Sequence, residues 1–223
     1  MIDRNKSNLK IKQRQKKVKQ KLNIIKQRKL KQKNDLTDVK IIFGLDNGSS
    51  GTISCIIPEY NYISFQCTPI FQYLDYTKEI QYINRINHFE LKKWFENQLK
   101  IAKEFYKNEI KAIVILERPM VNPQRFKQSK SALRAYEATL IILELLKLNY
   151  IVLDSKQWQH YFFGKNTSQI DLKYESMKLG LLTLEQIYNK DKMEFQEMKK
   201  CMIEHGDGDS LLICRYAKEQ LIK

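Results

Sequence analysis

The chain has 223 residues, of which 43% are hydrophobic, which is enough for one domain of ordinary size with its own core. It carries 40 Lys and Arg against 25 Asp and Glu, and this net charge of +15 favours a polyanionic partner.

Four cysteines without a Cys-x-x-Cys pair indicate reduced, packed thiols, and only three histidines exclude a His-rich metal site. No apolar run approaches membrane-spanning length and no secretory signal pattern is present. We therefore expect a soluble, intracellular protein of the cytoplasm or nucleoid without a membrane partner; phage-encoded and organellar settings stay open.

Most of the positive charge lies at the beginning of the chain. Residues 1–34 hold 14 Lys and Arg and one acid, Asp3. The rest of the chain therefore has 26 Lys and Arg (40 less 14) and 24 Asp and Glu (25 less 1), which nearly balance. Few apolar residues and strong self-repulsion predict a flexible basic arm over 1–36, disordered or transiently helical, followed by one domain over 37–223. Nucleic-acid phosphates suit such an arm, and a solubilising tail or targeting segment is the alternative. The DNA-binding candidates in the arm are Lys16, Lys17, Lys19, Arg28 and Lys29.

From residue 38 the sequence becomes alternating and apolar. Val39–Asp46 predicts a buried strand that ends on its aspartate. Thr52–Cys67 predicts two more strands around a turn at Pro58–Asn61. Together they predict an antiparallel three-stranded meander. A polar, tyrosine-rich connection without a clear period follows.

The next segments alternate between helix and strand patterns. An amphipathic helix is predicted over about Phe89–Asn108, and Lys111–Glu117 predicts a second buried strand that ends on an acid. After a loop with two prolines, Ser129–Asn149 predicts a long apolar helix and Tyr150–Ser155 a third buried strand. Strand-helix-strand order implies a parallel section of sheet covered by helices, so the predicted fold class is α/β with a mixed sheet.

The last part of the chain predicts helices around an acidic turn. A charged helical region runs from about residue 171 to 202, and the sequence HGDGDSLLICRYAKEQLIK predicts a glycine-broken turn that leads into a terminal helix. Active sites in such sheets lie beyond the carboxyl ends of strands. Asp46 and Glu117 fall at two of those ends.

Three acidic positions are candidates for metal chemistry: Asp46, Glu117 and the cluster Glu204, Asp207 and Asp209. Converging carboxylates repel one another unless cations neutralise them, and hard oxygen ligands suit Mg²⁺ or Mn²⁺. Two such ions can activate a water and stabilise the leaving oxygen of a phosphodiester.

Each acid also has a simpler explanation. Asp46 is compatible with a strand-ending turn, and Glu117 with an edge carboxylate paired with Arg118. Asp207 and Asp209 are compatible with helix capping.

Four motifs, GLDNGSSG, ILERP, YIVLDSKQW and HGDGDSLLICRYA, resemble in order and spacing those of RuvC-type Holliday junction resolvases, especially the phage-like members of this ribonuclease H-like superfamily. The resemblance covers about Asp38 to Lys218. It implies a ribonuclease H-like mixed sheet, with an antiparallel three-strand meander plus parallel strands, flanked by helices. It also implies two Mg²⁺ ions per active site, with Mn²⁺ as an alternative, branched DNA as the partner, a homodimer and no small-molecule cofactor.

The resemblance assigns roles position by position. Asp46 and Glu117 match metal ligands, and Asp209, followed by Ser-Leu-Leu, matches the terminal aspartate of the family. The sequence departs from the family at Gly206, where many members place a further carboxylate. Asp207 or His205 must then supply the fourth group, and His205 could stabilise the attacking water or the leaving oxygen, or be a bystander. The catalytic candidates are Asp46, Glu117, Asp209, Asp207 and His205, and the metal-ligand candidates are Asp46, Glu117, Asp207 and Asp209.

Cations cluster in the loop after Glu117. They could clamp phosphates, and Phe126 could wedge a base at a branch point; a solvated entrance to the long helix is the alternative. The DNA-binding candidates here are Arg118, Arg125, Phe126, Lys127, Lys130 and Arg134. Trp158 fits core packing better than base stacking.

The expected activity is Mg²⁺-dependent nicking of two opposing strands of a four-way junction, with the 5′-phosphate and 3′-hydroxyl ends implied by the family. Alternatives are another ribonuclease H-like nuclease, transposase-like or RNA-directed, or an inactive nucleic-acid-binding protein on this fold. The Asp-x-Gly-Ser-Ser-Gly stretch also resembles the phosphate loop of actin-like ATPases and sugar kinases. Those proteins are longer and need a second glycine-rich loop, which disfavours an ATPase fragment.

Overall fold

The structure is a computed structural model that describes residues 36–46, 48–75, 81–107, 109–167, 170–188 and 192–222, without the side chain of Lys127. Asp38–Lys223 forms one compact unit. Almost all of the predicted basic arm lies outside the described residues, as do all five of its DNA-binding candidates, Lys16, Lys17, Lys19, Arg28 and Lys29.

Strands and helices alternate after an initial meander. The strands are β1 (Val39–Leu45), β2 (Thr52–Ile57), β3 (Tyr62–Cys67), β4 (Ile70–Leu74), β5 (Tyr82–Ile86), β6 (Lys111–Glu117) and β7 (Asn149–Leu153). The helices are α1 (His88–Tyr106), α2 (Phe126–Leu145), α3 (Ser155–Phe163), α4 (Leu172–Ile187), α5 (Met193–His205) and α6 (Asp209–Tyr216).

Five strands form one mixed sheet in the order β3-β2-β1-β6-β7. The first three strands pair antiparallel, as predicted, while β6 pairs parallel to β1 and β7 parallel to β6. Each parallel strand is reached through a helix, since a parallel neighbour cannot be joined by a tight turn. This is the mixed α/β sheet of the ribonuclease H-like fold, so the predicted fold class is confirmed.

Helices cover both faces of the sheet. On one face, alternate residues of β1, among them Phe43, pack with Trp94 and Phe95 of α1 and with α2. On the other face α6 packs against β1 and β2. Strand side chains alternate in direction, so β1 buries both of its faces and is apolar except at Lys40.

The connection between β3 and α1 differs from the prediction. The tyrosine-rich segment, expected to be irregular, forms a separate antiparallel hairpin of β4 and β5, with Tyr73 opposite Ile83. Most side chains of both strands are exposed. A strand exposed on both faces has no polar-apolar alternation, which is why its sequence shows no period.

Several helix boundaries also differ from the prediction. Helix α2 begins at Phe126 and ends at Leu145, because Lys147 adopts a left-handed φ of 54° and Asn149 already belongs to β7. Helix α3 was not predicted, although Asp154 and Gln157 form a capping box at its start.

The region predicted as one charged helical segment is two helices, α4 and α5. His205, predicted to lie in a loop, is the last residue of α5. None of the helices in the described part of the chain is long and apolar enough to cross a membrane. All four cysteines are free, as predicted.

Candidate active site

The register of the two central strands brings two acids together. Leu45 of β1 lies opposite Leu116 of β6, so the residues that follow, Asp46 and Glu117, lie side by side at the carboxyl edge of the sheet. Because β6 lies between β1 and β7, Glu117 is on an interior strand. The edge-strand interpretation of Glu117 is therefore wrong.

A close approach between β1 and α6 brings the third acid to the same place. A side chain at Gly44 would put its Cβ 2.2 Å from the Ser210 carbonyl oxygen and 2.8 Å from Cys214 Sγ. Only glycine permits this contact, so α6 packs directly on the β1 backbone. Asp209 is the first residue of α6, and its charge raises the pKa of Asp46.

The fourth acid reaches the site through a left-handed turn. Gly206 ends α5 with a φ of 67°, a backbone conformation that favours glycine. The turn places Asp207 in the interior with a fully buried side chain. Its Oδ1 accepts a hydrogen bond from Thr52 Oγ1 at 3.1 Å. The departure from the family at Gly206 thus coincides with a carboxylate one residue later that points inward.

Asp207 carries the least satisfied oxygen of the site. Its Oδ2 is buried and has no hydrogen-bond partner, and the nearest cation, Lys173 Nζ, lies 3.7 Å away. That separation allows attraction but exceeds a normal hydrogen-bond length. A buried carboxylate oxygen without a donor is costly, so it is a position where a cation would be favoured.

Burial and the charges of the neighbouring acids both affect the pKa values of these carboxyl groups. Burial, followed by the charge of neighbouring acids, raises the pKa of Glu117 from 4.5 to about 9 and that of Asp46 from 3.8 to about 7. Burial also raises the pKa of Asp209 to about 6, and a hydrogen bond from Ser176 opposes this rise. Burial raises the pKa of Asp207 as well, whereas Lys173 and the Thr52 hydroxyl oppose that rise.

These residues fit a site for a hard divalent cation. The donors are carboxylate oxygens, which Mg²⁺ and Mn²⁺ prefer, and one of them lacks any hydrogen-bond donor. As the side chains stand, no three His, Cys, Asp or Glu residues of the described chain converge at coordinating distances. Coordination would therefore require side-chain rotation toward the ion.

A cleft with both acidic and basic side chains opens at Asp46 and Glu117. Its volume is about 260 Å³, and Asp46 and Glu117 share its lining with Arg118 and Arg125. Both arginines are exposed. Phe126, at the start of α2, has 71% of its surface exposed. The cleft therefore combines metal-type ligands with groups that can hold phosphates.

The remaining predicted residues have different positions. Lys130 is half-buried on α2, and Arg134 lines a neighbouring cleft rather than this one. The side chain of Lys127 lies outside the described residues. His205 is exposed, and its charge lowers the pKa of Asp207. Trp158 is 1% exposed, which confirms its core position.

The sequence analysis did not identify the residues that lie near these acids in the fold but far from them along the chain. Lys173 and Ser176 lie on α4; Ser176 Oγ accepts a hydrogen bond from the Gly208 N–H at 3.2 Å. Thr52 begins β2. No local motif marks these residues, because each is identified only by its proximity to Asp207 or Asp209 in the fold.

Comparisons with known proteins do not identify a family for this chain. No family model and no curated protein matches the chain. Among solved structures, the chain is similar to Thermus thermophilus RuvC in complex with a Holliday junction substrate, with a TM-score of 0.36 and 9% identity over 82% of this chain and 98% of that one. Thermus thermophilus RuvC alone gives a TM-score of 0.36 and 10% identity over the same shares. Likeness at this level does not support a functional assignment, and the fold assignment rests on strand order and pairing.

Proposed function

We propose that this protein is a Mg²⁺-dependent endonuclease that resolves four-way DNA junctions by paired nicks. One observation carries the proposal: Asp46 and Glu117 lie side by side at one edge of the sheet and line a cleft that contains two exposed arginines, with the turn that carries Asp207 and Asp209 packed nearby. A divalent cation would neutralise these buried carboxylates, and the arginines suit a phosphodiester. Together they favour hydrolysis of a polyanion.

The protein side of the mechanism follows from the placement of each group. Asp46, Glu117, Asp207 and Asp209 would hold two Mg²⁺ ions, or Mn²⁺, which supply an activated water and stabilise the leaving oxygen. No small-molecule cofactor is required.

The surrounding residues position the substrate and its protons. Arg118 and Arg125 would bind phosphates on either side of the bond that is cut, and such contacts fix the position of the DNA without reading its sequence. His205, exposed at the end of α5, would assist the water or the leaving oxygen. Hydrolysis would leave 5′-phosphate and 3′-hydroxyl ends.

Selectivity for branched DNA is proposed to come from Phe126. Its ring is largely exposed at the start of α2, next to the arginines of the cleft. An exposed aromatic ring at this position can stack on a base that has lost its partner at a branch point. A continuous duplex offers no such base.

Two symmetric nicks require two active sites, so a homodimer is proposed. The exposed face of α2 supports this proposal, since Ile141 and Leu145 have 57% and 68% of their surface exposed. The two residues are four apart and therefore share one helical face. This face could pack against the same face of a second copy.

Side-by-side cleavage of labelled four-way, flap, single-stranded and RNA–DNA hybrid substrates, with Mg²⁺ and with EDTA, tests the proposal. We expect paired nicks in the four-way junction with Mg²⁺ and no product with EDTA. Asp46→Asn should abolish cleavage and retain junction binding, because it removes a metal ligand without changing side-chain volume. Wild-type cleavage by this variant would contradict the site assignment, and preferred cleavage of the hybrid would indicate an RNA-directed nuclease.

A further inference from the structure

A second cleft lies on the other side of α2, between this helix and the β4–β5 hairpin. Its volume is about 300 Å³, and it is lined by both strands of the hairpin, the first residue of α1 and one face of α2. Three basic side chains line it: Arg85, His88 and Arg134. None of its lining residues in the described chain is acidic. The cleft is thus complementary to an anion, unlike the first cleft, which contains Asp46 and Glu117.

The hairpin presents an aromatic and a cationic side chain together on its surface. The Arg85 guanidinium lies 5.4 Å from the centre of the Tyr73 ring, and Tyr73 has 51% of its surface exposed. A buried arginine-tyrosine pair would be explained by packing, but both members of this pair are exposed. Exposed aromatics beside cations are the features by which proteins hold nucleic-acid strands, with bases on the ring and phosphates on the cation.

The second cleft is adjacent to the acids. Ser49 belongs to the turn that follows Asp46, and its Oγ lies 3.5 Å from Ser131 Oγ of α2. Both serines line the second cleft, whereas Ser129 and Ala132 of the same helix line the first. The linings of the two clefts are therefore contiguous along α2, where Ser131 lies between Ser129 and Ala132 in sequence.

The part of α2 that lines the two clefts is as long as several nucleotides of a DNA strand. From Gln128 in the first cleft to Ala138 in the second, the helix rises about 15 Å at about 1.5 Å per residue. One strand of B-form DNA carries a phosphate about every 3.4 Å along its axis, so this distance spans about four phosphates. A strand held at the acids is therefore long enough to reach the second cleft within about four nucleotides.

We propose that the second cleft binds the DNA strand that leaves the active site, with Arg85 on a phosphate and Tyr73 against a base or sugar. The inference rests on the proposed action on DNA. It assigns the β4–β5 hairpin as a substrate-binding element in addition to the loop after Glu117. Arg134 serves the same strand from the α2 side.

Junction binding measured by fluorescence anisotropy in EDTA over a series of NaCl concentrations tests this assignment. Arg85→Gln should raise the Kd several-fold and lower the salt slope of log K by about 0.9, the value for one lost phosphate contact. Tyr73→Ala should raise the Kd at least about fivefold with an unchanged slope, because it removes stacking and no charge. Arg85→Lys should retain the slope. Lys100→Gln, which removes an exposed cation of α1 outside both clefts, should match the wild type.

The outcomes separate this inference from the proposed function. Wild-type affinity and salt slope in both Arg85→Gln and Tyr73→Ala, in variants that melt like the wild type, would overturn the inference. Absence of cleavage of every substrate by the wild type in Mg²⁺ would instead overturn the proposed function, and a reduced slope in Arg85→Gln would still support the cleft as a nucleic-acid site.

Discussion

Replacing Glu117 with glutamine should stabilise the protein in EDTA at alkaline pH. Burial and the neighbouring acids raise the pKa of Glu117 from 4.5 to about 9. Between these two values the unfolded chain loses the proton and the folded protein keeps it. The folded state therefore loses stability as pH rises through this window, at about 1.4 kcal/mol per pH unit. Glutamine has nearly the same volume and no proton to lose, so it removes this dependence.

The pH interval between the unfolded and folded pKa values of Glu117 sets the size of the stability gain. At about pH 8 the accumulated cost of keeping Glu117 protonated reaches a ceiling of about 5 kcal/mol. Coupling to Asp46 and the unpaired amide of glutamine reduce this value, so we expect a gain of about 2 to 4 kcal/mol in the free energy of unfolding. At about pH 5 the gain should be within about 1 kcal/mol, since both states then hold the proton.

Urea unfolding in EDTA, followed by the fluorescence of the buried Trp94 and Trp158, measures this difference at both pH values. Glu104→Gln on the exposed surface of α1 is the matched control and should change stability by less than about 0.5 kcal/mol. Mg²⁺ should stabilise the wild type at about pH 8 and stabilise Glu117→Gln less, because one ligand is lost. A Glu117→Gln variant no more stable than the wild type at alkaline pH, or equally more stable at both pH values, would refute the reasoning.

Three further predictions concern the fold, the arm and the assembly. Gly44→Ala should lower the free energy of unfolding in urea by about 3 kcal/mol or more, because the new Cβ would lie 2.2 Å from the Ser210 carbonyl oxygen. Gly48→Ala, where the nearest atom is 3.7 Å away, should lower it by less than about 1 kcal/mol. Similar losses of stability in both variants would contradict the close contact at Gly44. Deleting residues 1–34 should weaken junction binding and flatten its salt dependence while cleavage persists, and an unchanged slope would leave the arm as a tail or targeting segment. Light scattering with junction at micromolar concentration should give a dimer mass, which Ile141→Glu should reduce to that of a monomer; a monomeric wild type would refute the dimer.

The strand pattern of the sheet could be predicted because it depends on neighbouring residues. Val39–Leu45 and Lys111–Glu117 are mainly apolar segments, the first followed by Asp46 and the second ending on Glu117, and both form the predicted strands. Parallel strands in a sheet covered by helices bring their carboxyl ends to one edge. The proximity of Asp46 and Glu117 therefore follows from the sequence.

The hairpin could not be predicted in the same way. Tyr73 and Tyr82 have 51% and 64% of their surface exposed, so neither face of β4–β5 is selected for burial. Its residues are held by pairing with each other and by the contact of β5 with α2. Such strands lack the alternation that marks a half-buried sheet.

The sequence is sufficient to nominate the candidate acids: Asp46 and Glu117 at strand ends, and Asp207 and Asp209 near the last helix. Their arrangement in space depends on contacts between distant parts of the chain. The bare backbone at Gly44 admits α6, the left-handed turn at Gly206 sends Asp207 inward, and Lys173 from α4 faces it at 3.7 Å. The physical reason is that periodicity reports contacts along one element, whereas charge compensation and close packing depend on atoms that are distant in the chain.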